Sequence, residues 1–201
     1  MKPIDGTWSS GSGSHRTTGS PRLWQSIATW PRFRPRGNRA DDMETLPDFE
    51  DILFLLHKHR VRYLIIGGLA FIYHAKPRYT KDMDLWIESS PENVVLANQA
   101  LAEFGSPTLI EPGDPDQILQ IGVAPNRIDL ILSVPQVDFE TAWQARIDGR
   151  YGDSAAQWID LDNLIRIKEG IDDPRHVDDV RNLKRVREAR REDPPSTAIT
   201  D

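Results

Sequence analysis

Residues 63–88, YLIIGGLAFIYHAKPRYTKDMDLWIE, decide how the rest of this 201-residue chain is read. The apolar run 61–66 ends at Gly67-Gly68, which predicts a short buried strand followed by a turn. Residues 69–75 continue apolar and stop before Pro77. This predicts a helix, since the residue before a proline is pushed out of the helical region. A second strand is expected over 82–88. Alternate side chains of a strand share a face, so Asp82 and Asp84 point one way and Met83 and Leu85 the other. Two carboxylates on one face of a buried strand repel unless cations hold them. Such oxygen pairs suit hard divalent metals. Glycines between strand and helix let a ligand approach the backbone, and the helix N-terminus offers free N–H groups to an anion. A plain tight turn is the alternative for the pair.

Asp-x-Asp occurs three times, at 82/84, 114/116 and 160/162. The second lies in the Pro/Gly loop EPGDPDQ. The third stands at an expected helix start, where acids cap. Only the first enters an apolar strand after a strand, a glycine pair and a helix. A further carboxylate, Asp129, sits alone in the apolar run NRIDLIL (126–132). Buried without a partner it would be costly. A metal shared with Asp82 and Asp84 removes that cost, and a salt bridge to an arginine is the alternative.

Outward from this region the periodicities predict helices over 48–60, 91–104, 139–147, 162–169 and about 174–190. Strands are expected over 117–123, 127–134 and 157–161. Pro91 fits a first helical turn and Gly105 a helix end. The order is mixed α/β (an α+β arrangement) with a small sheet, neither strictly alternating nor strand-only. No dinucleotide-binding or P-loop glycine motif is present. Trp86, Trp143 and Trp158 read as core residues, and His74 as helix-end structure. The basic run 184–191 reads as a solvated helix end.

The charge is uneven. Net charge is −6, yet residues 1–40 carry seven Lys/Arg and one Asp, leaving −12 on the remainder. An acidic domain is poorly suited to gripping polyanions over a broad surface, so phosphate handling should be local. Residues 1–42 are Ser/Gly/Thr- and Pro-rich around 9–35 and read as a disordered basic leader. Met43 is a natural start for the foldable part, and a targeting or RNA-touching arm is the alternative. The domain is expected over 43–191 and a disordered tail over 192–201. No apolar run approaches the ~18 residues that a membrane span needs. Cysteine is absent, which excludes disulfides and thiol chemistry and fits a cytoplasmic setting.

Strand, Gly-Gly, helix, Arg-x-Thr-x-Asp-x-Asp and a lone Asp on a later strand together resemble the DNA-polymerase-β-like nucleotidyltransferase superfamily. Within it the chain is similar to small bacterial nucleotidyltransferases related to abortive-infection toxins of the AbiEii type. The resemblance spans about 49–183. It includes FGSP, IGVAPNRIDLILSV, FETAW and DLDNLIRIKEGIDDPRHVDDVRNL. It implies a nucleotidyltransferase fold with a short helical C-terminal part. It also implies transfer of a nucleoside monophosphate from an NTP to a hydroxyl of tRNA, protein or a small molecule. By the same resemblance Asp82, Asp84 and Asp129 would be catalytic and hold two Mg2+ ions, with Mn2+ as a substitute. Gly67, Gly68, Arg78, Thr80 and Lys168 would contact the nucleotide, a solvent-facing lysine being the alternative for Lys168. Asp173, His176 and Asp179 match acidic and basic positions of the closing segment. A toxin–antitoxin role would add an antitoxin-like protein partner. An inactive regulatory module of the same fold is the rival reading.

Overall fold

The computed structural model describes residues 45–192. The leader assigned to 1–42, the start at Met43 and the tail from 193 onward lie outside the described residues.

Among the described residues six strands form one mixed sheet. They are β1 (Tyr63–Ile65), β2 (Asp82–Ile87), β3 (Ile118–Ile121), β4 (Arg127–Ile131), β5 (Ile147–Tyr151) and β6 (Ser154–Trp158), in the order β3-β4-β2-β1-β6-β5. The pairs β2·β4 and β1·β6 are parallel; β1·β2, β3·β4 and β5·β6 are antiparallel. The helices are α1 (Pro47–Lys58), α2 (Gly67–His74), α3 (Pro91–Phe104), α4 (Phe139–Gln144), α5 (Leu161–Glu169) and α6 (Pro174–Glu192). Helix α1 packs on α3 and β6, while α2 packs on β2, α5 and α6. The mixed α/β fold expected from the sequence is the one found.

Local chemistry explains most boundaries. Ser90 caps α3 by accepting from Asn93 N–H. Pro91 occupies the first turn, and Gly105 closes the helix in the left-handed region (φ 85°). Asp160 caps α5 by accepting from the N–H groups of Asp162 and Asn163. The third Asp-x-Asp is therefore a capping element. The second is an exposed loop in which Asp114 accepts from Asp116 N–H.

Two differences from the sequence reading matter. Residues 145–147, expected at the end of a helix, instead lead into β5, and the strand expected over 157–161 begins at Ser154. The two strands form a hairpin whose inner positions, Tyr151, Ala156 and Trp158, are buried. IDGRYGDSAAQW has too little alternation of apolar and polar residues to signal strands locally. Packing supplies the rest: Trp158 stacks on Tyr73 of α2, ring centroids 4.4 Å apart. The second difference is that α2 begins at Gly67, so the glycine pair forms the first helical turn rather than a preceding loop.

The core is continuous through Phe49, Leu56, Leu64, Met83, Leu101 and Leu164. Trp86 and Trp158 belong to it, as expected. Trp143 is half-buried, stacks on Phe139 and is faced by the guanidinium groups of Arg62 and Arg146. His74 closes α2, is buried, and bonds through Nε2 to the Ile159 carbonyl at 2.7 Å. Burial is the main reason its pKa falls to about 4. The basic end of α6 is tied down rather than merely solvated. Lys184 pairs with Glu169, Arg187 with Asp162, and Arg190 donates to the His74 carbonyl.

Candidate active site

The parallel register of β2 with β4 sets Asp84 beside Asp129 and Asp82 beside Arg127. Paired residues share a face of the sheet, so three carboxylates and one guanidinium lie side by side on it. Strand β3 adds Gln120 next to Asp129. The end of β1 meets the start of β2, with Ile66 N–H donating to the Asp84 carbonyl. That contact sets the first turn of α2 directly against the Asp84 side chain.

The glycine pair is required by space. Gly67 has φ +61°, a conformation other residues rarely adopt, and a Cβ there would collide with the Asp84 carboxylate. A Cβ at Gly68 would collide with Thr80 Oγ1 and lie 3.5 Å from Arg78 Nη2. Gly68 N–H points at Asp84 Oδ2, 3.4 Å away. Thr80 Oγ1 donates to Asp82 Oδ1 at 3.3 Å, which fixes that carboxylate.

The electrostatics of the face are those of crowded negative charge. The Asp84 pKa is raised to about 6, chiefly by burial and then by the charges of Asp82 and Asp129; Gly68 N–H and Lys168 oppose the rise. Arg127 Nη2 bridges Asp82 Oδ2 (2.7 Å) and Asp129 Oδ2 (2.9 Å). Of the two partners weighed for Asp129, the arginine is present. Its other oxygen, Oδ1, is buried and has no hydrogen-bond partner. Among the described residues no three acidic or histidine side chains close on one ion-binding point.

Lys168 is not a solvent-facing lysine: it is 2% exposed. Leu161, Leu164, Ile165 and Lys168 follow helical spacing along the buried stripe of α5. The Lys168 ammonium pairs with Asp179 of α6 at 2.9 Å and approaches His176 Nδ1 at 3.4 Å. Asp179 also takes Arg78 Nη2 at 3.2 Å, and both cations lie over the Phe71 ring. Burial lowers the Lys168 pKa, while Asp179 works against the fall. The structure therefore joins Gly68, Arg78, Thr80 and Lys168 at the end of the sheet that carries Asp82, Asp84 and Asp129.

The sequence reading gave no role to Arg127 and matched Asp179 only by position. The signal for Arg127 was available: it stands two residues before Asp129 on the same strand, hence on its face. Nothing local marks Asp179 as the partner of two cations, because that depends on how α6 docks against α5 and α2.

The face has the donor chemistry a divalent cation takes, although its three carboxylates do not close on one point. It offers hard carboxylate oxygens, one of them orphaned in a buried position, and mutual repulsion that a bound cation would relieve.

No family model and no curated protein matches the chain in sequence. Solved structures resemble it in backbone course. One is a lincosamide antibiotic adenylyltransferase, LnuA, with lincomycin bound: TM-score 0.46, 16% identity, covering 71% of this chain and 99% of that one. Another is ANT(2")-Ia in complex with adenylyl-2"-tobramycin: TM-score 0.47, 16% identity, covering 72% and 95%.

Proposed function

We propose that the protein is a metal-dependent nucleotidyltransferase that moves a nucleoside monophosphate from an NTP to a hydroxyl acceptor and releases pyrophosphate. One observation carries this reading. Asp82, Asp84 and Asp129 share one sheet face against the first turn of α2, where the lack of a Cβ on Gly67 and Gly68 lets the Asp84 carboxylate and Thr80 pack close to the backbone.

In the reaction the acceptor oxygen bonds to the α-phosphorus. The bond from that phosphorus to the bridging oxygen breaks, and pyrophosphate leaves. Asp82, Asp84 and Asp129 would hold magnesium, or manganese in its place. The bound ions would supply charge neutralisation on the triphosphate and a lower pKa at the acceptor. The first turn of α2 would lie against the triphosphate, its Gly68 N–H being turned to Asp84 Oδ2 in the free protein. Arg78 and Lys168 balance phosphate charge there, held at a fixed distance from each other by Asp179. Thr80 keeps Asp82 in its rotamer. Asp129 would be the group to help take the acceptor proton. Most of the rate would come from positioning and charge neutralisation.

A second reading has one observation in its favour: Arg127 already neutralises two of the carboxylates. On that reading the fold is an inactive binding or regulatory module, such as the toxin-like half of a toxin–antitoxin pair, and an antitoxin-like protein is its partner.

The deciding experiment incubates the protein with each α-labelled NTP, magnesium and cell extract. Label transferred to RNA, protein or a small molecule supports transfer and identifies the acceptor class. No label with any NTP, from protein that binds none of them, would leave the inactive module as the reading.

A further inference from the structure

Arg127 opens β4, opposite Asp82 and on the same face as Asp129. One of its nitrogens, Nη2, serves carboxylates from two different strands, at 2.7 and 2.9 Å. Its Nε is buried and has no hydrogen-bond partner, and the same is true of Asp129 Oδ1. Arginine–carboxylate pairs are frequently bidentate, with two parallel bonds. Here the fork is half used while an oxygen beside it goes unsatisfied. Buried orphans on both partners call for an explanation, and an ion pair that balances charge without fitting closely supplies one. The Arg127 side chain is also 34% exposed, against 9% for Asp129, so it can leave toward solvent without crossing the core.

We propose that Arg127 is a built-in counter-cation of the carboxylate face, displaced when a divalent ion takes the oxygens of Asp82 and Asp129. The inference rests on the metal-binding reading given above. The oxygens that Nη2 occupies are two of those an ion would need, and one oxygen cannot hold a guanidinium and a closely coordinated ion in the same direction. With the ion absent, Arg127 offsets the charge of Asp82 and Asp129. With the ion present, that task passes to the ion. Arg127 thereby sets the ion concentration at which the site fills.

The test is manganese binding to the full chain, followed by the paramagnetic resonance of the free ion. It compares wild type, Arg127→Gln, Arg127→Lys and Asp84→Asn after chelator treatment. Arg127→Gln is expected to bind Mn2+ at least tenfold more tightly than wild type. Its melting temperature should be lower without the ion and should rise further than that of wild type when Mn2+ is added. If Arg127→Gln does not fold, Arg127→Lys carries the test, with a smaller gain in affinity expected because the lysine keeps a positive charge at the site while losing the guanidinium geometry. An arginine that serves only the fold would lower the melting temperature and leave the affinity of the folded protein unchanged or weaker, which would overturn the proposal. Wild-type binding that Asp84→Asn abolishes and the Arg127 variants leave untouched would refute the role of Arg127 alone. Failure of wild type and both Arg127 variants to bind Mn2+ at millimolar concentration would refute the metal reading, and this proposal with it.

Discussion

Asp84→Asn should stabilise the protein in the absence of metal while removing its activity. The folded state holds the Asp84 pKa at about 6 against an ordinary 3.8. A shift of that size disfavours the charged form by about 3 kcal/mol, at about 1.4 kcal/mol per pH unit. Its sign follows from proton linkage. Between pH 3.8 and 6 the folded protein holds more protons at this site than the unfolded chain, so stability falls as pH rises through this window. Above about pH 6 the whole cost is present; below 3.8 it is gone. Asparagine keeps the shape and an oxygen that can accept from Gly68 N–H, but it carries no charge. The variant should therefore gain about 2–3 kcal/mol at pH 7, or about 5–10 °C in Tm for a domain of this size, and little near pH 4. Urea denaturation in EDTA at both pH values measures it. A variant less stable than wild type at pH 7, or a difference that does not change with pH, would show that Asp84 is held by favourable contacts rather than crowded by charge. Added magnesium and nucleotide should reverse the order, raising the Tm of wild type and leaving the variant where it was.

His74 provides the opposite pH dependence. Its folded pKa of about 4 lies below the ordinary 6.5, so stability is full above pH 6.5 and is lost as pH falls toward 4, by about 3 kcal/mol. In wild type the gain from Asp84 masks part of this loss, and urea curves of Asp84→Asn from pH 7 to pH 4 should expose it. Asp179→Ala leaves buried Lys168 without its counter-charge and should cost about 3–5 kcal/mol. Restoration of wild-type stability in Asp179→Ala/Lys168→Met would confirm the pairing as the cause. Gly67→Ala meets both a positive φ and the Asp84 carboxylate. A loss of about 1–3 kcal/mol is expected in denaturation, together with weaker NTP binding by calorimetry. Gly68→Ala should push Thr80 away from Asp82 and lower transfer at least tenfold by the labelling assay, with a smaller effect on folding.

Much of the architecture was legible because it is written in local chemistry. Ser90-Pro91 and Gly105 announce both ends of α3, and the alternation in DMDLWI places Asp82 and Asp84 on one face without any tertiary information. The glycine pair signalled a close approach, although the sequence could not say that the approaching group is the protein's own Asp84. Strand β5 and the start of β6 were missed because this hairpin is specified by the buried contact of Trp158 with Tyr73, not by periodicity.

What tertiary structure alone decided is which charges meet. Asp129 lies 45 residues from Asp84 in the chain, and only the parallel register of β2 and β4 makes them neighbours. The same register, one alternation earlier, sets Arg127 opposite Asp82 and turns an unremarked basic residue into the cation of the site. Lys168 has the sequence of an ordinary helix lysine. It becomes a buried charge only because α6 docks with Asp179 facing it. Alternation, capping and turn preferences act within a few residues, so a sequence displays them directly. Register, ion pairing and burial are set by surfaces brought together from distant parts of the chain, and these exist only once it has folded.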